Sequence, residues 1–262
     1  MERIKRTLYE PLVLIAVGIL GLASTNAAAG ITAYVVDAQD GLHALDLATA
    51  QTEFIATIDR EFVFDLALSD SGRLFAQRDA GVGFFQIDPT TGQGSGDLDL
   101  VDSVGSIGFM GDRLIGQDFD TISFVEIDTS TGQSNTINPF VASFNVQEMA
   151  VMSSNMLFAT ERVFMTGVGT TESLHLIDLD IGDSSVIGEL DIDDVVSGIQ
   201  YVNGTLYAVS NTGLLYSIDT ATAASTLIGD IGFSVDAFTA VPSPGGIACI
   251  GLAGMITVRR RR

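Results

Sequence analysis

Five positions that hold the same place in a repeating pattern carry the residues best suited to chemistry: Asp65, Ser106, Glu148, Ser197 and Asp236. Carboxylates at Asp65, Glu148 and Asp236 facing one another across a cleft could divide general-acid and general-base work, the pairing that hydrolysis of a glycosidic bond requires. Two acidic runs offer a second chemistry. Asp178, Asp180 and Asp183 fall in one short stretch and Asp191, Asp193 and Asp194 in another. Clustered hard oxygen donors suit calcium. Neither run has the spacing of a known calcium loop, and in a chain this rich in aspartate a solvated turn is the simpler account. His43 and His175 each precede a repeated Asp by three residues, where other repeats have Phe85, Val125 and Tyr216. A flat ring packed between neighbouring sheets explains both. No serine or cysteine stands in a nucleophile elbow and no histidines have zinc spacing.

The elements that position these residues come from a repeat. An aliphatic residue followed by Asp recurs at Leu45-Asp46, Ile87-Asp88, Ile127-Asp128, Ile177-Asp178 and Ile218-Asp219, in steps of 42, 40, 50 and 41 residues. A period near 40–45 residues filled with short strands marks a β-propeller, one four-stranded blade per repeat. The fifth repeat is clearest: apolar runs flank Asn203-Gly204, the strongest short hairpin signal. The turns after Asp88, Asp128 and Asp219 let the carboxylate bond the backbone two residues on. The innermost strands begin near the five positions named above, which would ring one mouth of a central channel. A hydrolase site there would need that channel open, and Phe238, Ile107 and Met149 are the residues that could plug it.

The first repeat, starting at Ile31, has only three strands, whereas a spare strand over 235–241 follows the fifth. Placed innermost in the first blade, that strand closes the ring and leaves no sheet edge unpaired. The expectation is an all-β, five-bladed β-propeller of four-stranded antiparallel blades over residues 30–241, nearly free of helix. The long step before Asp178 implies an insertion in blade four around Phe164 to Thr171, whose glycines point to a mobile loop.

Both ends carry an address. Arg3, Lys5 and Arg6 precede an apolar run and then Ala27-Ala28-Ala29, so residues 1–29 read as a signal peptide cut after Ala29, with Ala27 and Ala29 as the small residues signal peptidase needs. Residues 242–262 begin at Pro242-Ser243-Pro244, just after Val241, continue through a short apolar stretch and end in Arg259, Arg260, Arg261 and Arg262. This order resembles the PEP-CTERM sorting signal of exported bacterial proteins. The resemblance implies a tail that pauses in the inner membrane, arginines inside, until an exosortase-like enzyme removes it. The family usually has Glu where this chain has Ser243. The Leu215-Tyr216-Ser217-Ile218-Asp219 pattern is similar to repeats of the quinoprotein-like and lactonase-like bacterial propellers, whose cofactor and metal residues have no counterpart here. Carboxylates around a funnel also resemble the five-bladed glycosidases, although this chain has no Trp to stack on sugars.

Charge narrows the partners. Without its two ends the chain keeps five arginines, no lysine and 31 acids, a net charge of −26. Such a field repels nucleic acid and anionic lipid, so contact with membrane is expected only through the terminal segments. The single cysteine, Cys249, lies in the tail, so the propeller must be held by packing alone. Composition and motifs together point to a secreted, non-enzymatic acidic repeat protein at the cell surface or in the extracellular matrix, binding a glycan or protein partner. No cofactor other than calcium is implied. A glycoside hydrolase with carboxylates at the channel mouth and a purely structural matrix protein are the alternatives.

Overall fold

A computed structural model describes residues 32–78, 82–100, 102–141, 144–165 and 169–240. The signal-peptide and sorting-tail readings lie outside the described residues. Blade 1 contains β1 (Thr32–Asp37), β2 (Gly41–Asp46) and β3 (Thr52–Thr57). Blade 2 is β4 (Val63–Leu68), β5 (Leu74–Arg78), β6 (Gly83–Ile87) and β7 (Gly94–Asp99). Blade 3 is β8 (Val104–Met110), β9 (Arg113–Asp118), β10 (Ser123–Ile127) and β11 (Ser134–Val141). Blade 4 is β12 (Val146–Val151), β13 (Met156–Met165), β14 (Gly169–Asp178) and β15 (Asp183–Glu189). Blade 5 is β16 (Val196–Val202), β17 (Thr205–Ser210), β18 (Leu214–Ile218) and β19 (Ser225–Asp230).

The last strand, β20 (Val235–Ala240), pairs antiparallel with β1, giving the first sheet the order β20-β1-β2-β3. The innermost strands β4, β8, β12, β16 and β20 touch in sequence and return to β4, so five blades form a closed ring. Ala33 of β1 lies opposite Ala240 of β20, so the chain enters and leaves the ring on the same face.

Local chemistry explains the blades. Asn203 (φ 52°) and Gly204 (φ 84°) both sit in the left-handed region, as a two-residue hairpin turn requires. Each repeated Asp closes its third-to-fourth-strand turn: Asp88 Oδ1 accepts from Thr90 N at 2.8 Å, Asp128 Oδ1 from Ser130 N at 2.7 Å and Asp219 Oδ1 from Ala221 N at 2.8 Å. These bonds hold the three carboxyls below the usual range, the side-chain hydroxyl bond leading at Asp88 and Asp128 and the Ala221 amide at Asp219. The repeat that betrays the fold is thus a turn lock rather than a ligand set.

Five apolar clusters fill the five interfaces between blades. Phe238, Val35 and Val209 join blade 1 to blade 5, and Leu42, Leu66 and Phe85 join blades 1 and 2. Ile107, Phe75 and Phe84 join blades 2 and 3, Met149, Phe124 and Leu157 blades 3 and 4, and Ala150, Ile199 and Leu206 blades 4 and 5. Phe238 and Ile107 therefore pack between blades and Met149 lines the other end of the channel, so none of the three residues able to plug the mouth lines its cavity. Side chains on inner strands alternate, and the interblade face claims the large apolar ones.

Buried amides reinforce the ring. Gln117 Nε2 donates to Phe144 O at 3.2 Å and its Oε1 accepts from Val146 N at 2.7 Å, so one side chain ties blade 3 to the entry of blade 4. Gln77, forty residues earlier, donates to Val104 O at 2.8 Å. Gln117→Ala leaves two buried backbone groups without partners and is expected to cost about 2–4 kcal/mol, at about 1–3 for each lost partner partly offset by water entry. A urea midpoint restored toward wild type by Gln117→Met, which refills the space without an amide, would instead show that only the cavity matters.

The described part of the insertion in blade four is not a loop, and residues 166–168 lie outside the described residues. β13 and β14 stay paired from Met156 opposite Asp178 out to Met165 opposite Gly169, so the extra residues lengthen a hairpin. Val163 facing Thr171 and Phe164 facing Thr170 are β-branched or aromatic pairs that favour a ladder over the flexibility that the glycines suggested.

Candidate functional site

Every innermost strand carries a bulge at its first residues. Phe64 is the extra residue in β4, and Ser197 and Asp236 are extra in β16 and β20. Gly105 and Ser106 together oppose Gln117 in β8, and Gln147 and Glu148 together oppose Thr160 in β12. A bulge breaks the ladder and re-aims a side chain. Five at one level turn Phe64, Ser106, Glu148, Ser197 and Asp236 toward a common mouth, where they line a cavity of about 590 Å³. The opposite mouth, a cavity of about 480 Å³, is lined by the last residues of the same strands, including Met110, Val151, Val202 and Ala240.

Four of the five positions read from the sequence meet there; the fifth does not. Asp65 is buried beneath the rim, 5% exposed, because the bulge at Phe64 turns it under the floor. Its Oδ2 accepts from Ser106 Oγ at 2.9 Å and Ile107 N at 2.8 Å, and its Oδ1 from Leu66 N at 2.7 Å. Ser106 Oγ in turn accepts from Met149 N at 3.0 Å, linking blades 2, 3 and 4. Burial outweighs these bonds and pushes the Asp65 carboxyl up to about 7.

Glu148 is half-buried at the cavity wall, its amide donating to Thr160 Oγ1 at 3.1 Å. Burial holds its carboxyl well above the usual range, with the charges of Asp65 and Glu172 adding to this and Arg162 opposing it. Asp236, exposed at the rim, is raised by partial desolvation and by Asp40 and Asp37.

The lengthened hairpin supplies two functional-looking residues that the sequence reading missed. Arg162 and Glu172 face each other across β13 and β14, with Arg162 Nε 2.7 Å from Glu172 Oε1. Arg162 also donates to Val196 O at 3.0 Å and Gln147 Oε1 at 3.3 Å, and Glu172 Oε1 accepts from Val196 N at 3.2 Å. Glu172 Oε2 is buried without a hydrogen-bond partner, and burial raises its carboxyl despite Arg162. The arginine thus anchors the hairpin to blade 5 and borders the cavity as a committed cation. The 50-residue step was the available signal, since extra residues in one blade must go to one end of it.

Apolar side chains surround the acids. Phe62 is 71% exposed and Phe64 50% exposed on the cavity's edge, with Phe119 beside them. Phe62 sits at φ 62°, a left-handed conformation that costs a residue with a Cβ about 1–2 kcal/mol.

The remaining candidates lie apart from the mouth cavity. His43 Nε2 is 2.8 Å from Asp37 Oδ2 and its ring stacks on Phe233 at 4.4 Å. His175 stacks on Phe144 at 4.1 Å, with Nε2 3.2 Å from Glu161, and burial lowers its pKa. Both are packed rings with an acid partner. Asp178 Oδ1 accepts from Asp180 N, Asp180 Oδ2 from Asn155 Nδ2 and Asp183 Oδ1 from Ser184 N, each at 2.9 Å. Asp194 accepts from Thr212 Oγ1 at 2.7 Å. Asp178 and Asp183 bond backbone amides of their own turn, Asp194 reaches across to Thr212 beside Asp191 and Asp193, and among the described residues no three His, Cys, Asp or Glu side chains group so as to hold a metal.

No family model matches the chain, and no curated protein matches it. A chain in the crystal structure of a nidogen/laminin complex is similar in shape, with a TM-score of 0.56 at 10% identity over 82% of this chain and 99% of that one. Likeness at that identity is likeness of fold, and the fold it shares with this chain is the β-propeller.

Proposed function

We propose that this chain is an exported, non-enzymatic binding propeller, carried to the bacterial surface or matrix by signal-peptidase and exosortase-like processing of its ends, which holds a glycan or protein ligand at the bulged mouth. The observation that carries the reading is the ring of five bulges, which breaks the ladder on every inner strand at one level and converges their side chains on a single cavity. Bulges so placed cost ladder bonds that a purely structural ring would keep. A propeller from a nidogen/laminin complex offers a precedent for the fold in a protein assembly.

The test pairs the full chain with a Glu148→Gln/Asp236→Asn variant on a glycan array, with and without calcium, and against envelope extracts. Ligands retained by the wild type and lost from the variant are expected. Equal retention by both, or by neither, rejects the mouth as the binding site.

One observation favours a second reading. Glu148 and Asp236 both line the cavity and both have raised pKa values, the condition a glycoside hydrolase needs in at least one of its carboxylates. Release of new reducing ends from a polysaccharide panel, abolished by Glu148→Gln, would establish it over simple binding.

A further inference from the structure

Resting on the binding reading, we infer that the bulged mouth docks a basic, amphipathic segment of a partner protein, one cationic side chain reaching Glu148 and Asp236 while its apolar neighbours lie on Phe62 and Phe64. Two independent properties of this face select that occupant.

The first is charge. The described part of the chain has five arginines, and the one at the mouth is committed to Glu172, Gln147 and Val196 O. Arg60, Arg78 and Arg113 are paired with Asp97, Asp99 and Glu126 at 2.8–2.9 Å, and Arg73 bonds Ser71 and lies over the Phe75 ring; none of these four lines this cavity. Among the described residues the rim therefore presents Asp236, backed by Asp37 and Asp40, and Glu148, whose carboxylate form a bound cation would favour, and Arg162 is the one cation that lines it. An anionic ligand is repelled and a cationic one is drawn in.

The second is exposed apolar surface on that same face. Phe62 and Phe64 border the cavity, and the blade-four hairpin rises beside it with Phe164 78% and Val163 40% exposed. Large apolar groups exposed together around a cavity mark an interaction site more strongly than scattered ones do. The rim's one guanidinium is occupied, so beside the Ser197 hydroxyl and the Gln147 amide the groups that face a ligand here are carboxylates and apolar rings. A peptide with alternating apolar and basic residues satisfies both properties, burying rings at the edge and a charge at the centre.

Three acetylated, amidated fluorescent peptides of equal length test the inference by anisotropy with the full chain: alternating leucine and lysine, lysine and glycine, and leucine and glutamate. The leucine–lysine peptide is expected to bind at least tenfold more tightly than the other two. Its affinity should fall at least tenfold in Phe62→Ser/Phe64→Ser and in Glu148→Gln/Asp236→Asn, both of which alter side chains outside the interblade cores and should keep the wild-type circular dichroism. Equal binding of the lysine–glycine peptide, or binding that survives both double variants, overturns the inference in favour of diffuse attraction to an acidic surface. If no peptide binds while a glycan is held at the mouth and lost from Glu148→Gln/Asp236→Asn, the peptide inference fails and the binding reading stands. If nothing binds at the mouth, both fail.

Discussion

Truncating Phe238 to alanine is expected to lower stability by about 3–5 kcal/mol, the usual cost of deleting a fully buried ring. Phe238 has no solvent exposure, stands opposite Val35 in the closing pair and packs with Val209 and Leu215 of blade 5. Gly198 approaches it so closely that a Cβ there would lie 2.7 Å from Phe238 Cβ, so the surrounding backbone is already against the ring and has little freedom to collapse into the space. The loss falls on the one blade assembled from both ends of the domain, where opening costs the most sequence-distant contacts. For a domain of this size the loss corresponds to a fall in Tm of about 6–20 °C. Phe164→Ala, which removes an exposed ring on the hairpin, should change stability by less than about 0.5 kcal/mol. A small loss at Phe238 would mean that the ring tolerates an open first blade.

The second large effect is on pH dependence. Stability is expected to rise as pH falls from 8 to 5. Asp65, Glu148, Glu172 and Asp236 have native pKa values raised above those of the unfolded chain, so the native state holds more protons across this span. For such groups the stabilisation is complete below the unfolded value, near 4, and disappears as pH climbs through the native value, about 7 for Asp65. That shift alone is worth on the order of 4 kcal/mol between the two limits, at about 1.4 per unit. His175, lowered by burial, opposes the trend below its unfolded value of about 6.5, and Asp37, Asp88, Asp97, Asp128 and Asp219, all lowered, withdraw stability below about pH 4. Relief of the general acidic repulsion acts in the same direction as Asp65, so the decisive comparison is Asp65→Asn. Denaturant midpoints at pH 8, 7, 6 and 5 should slope much less in that variant than in the wild type. A wild-type midpoint highest at pH 8, or an unchanged slope in the variant, would refute the assignment.

The ring was legible because turn chemistry repeats. Asp at the end of each third strand and Asn203-Gly204 encode local geometry, so their spacing reports the blade period directly. The closing strand was legible too, since three strands at one end and one at the other complete a single sheet. The hairpin of blade four was obscured by Gly167 and Gly169, which read as flexibility, while the partners Arg162 and Glu172 lie ten residues apart in the sequence. The bulges left no mark because none requires a special residue: Phe64, Ser197 and Asp236 fill equivalent positions with unrelated chemistry. That is why Asp65 looked like a mouth carboxylate. A one-residue slip at Phe64 sends every following side chain to the other face of the strand, and no composition signal records it. Gln77 and Gln117 did carry a readable forty-residue spacing, but an isolated amide on a strand does not disclose which neighbouring blade it will bridge.

Because β1 begins and β20 ends on one face, mechanical load meets the closing sheet in two different ways. Tension applied to both ends at once would peel β20 from β1 one hydrogen bond at a time, beginning at Ala33 and Ala240. Tension on the C-terminal end alone runs along β20, across the direction of its ladder bonds, and loads them together. A propeller hanging by that single end while gripping something at its far mouth would therefore resist traction much better than one stretched between two anchors.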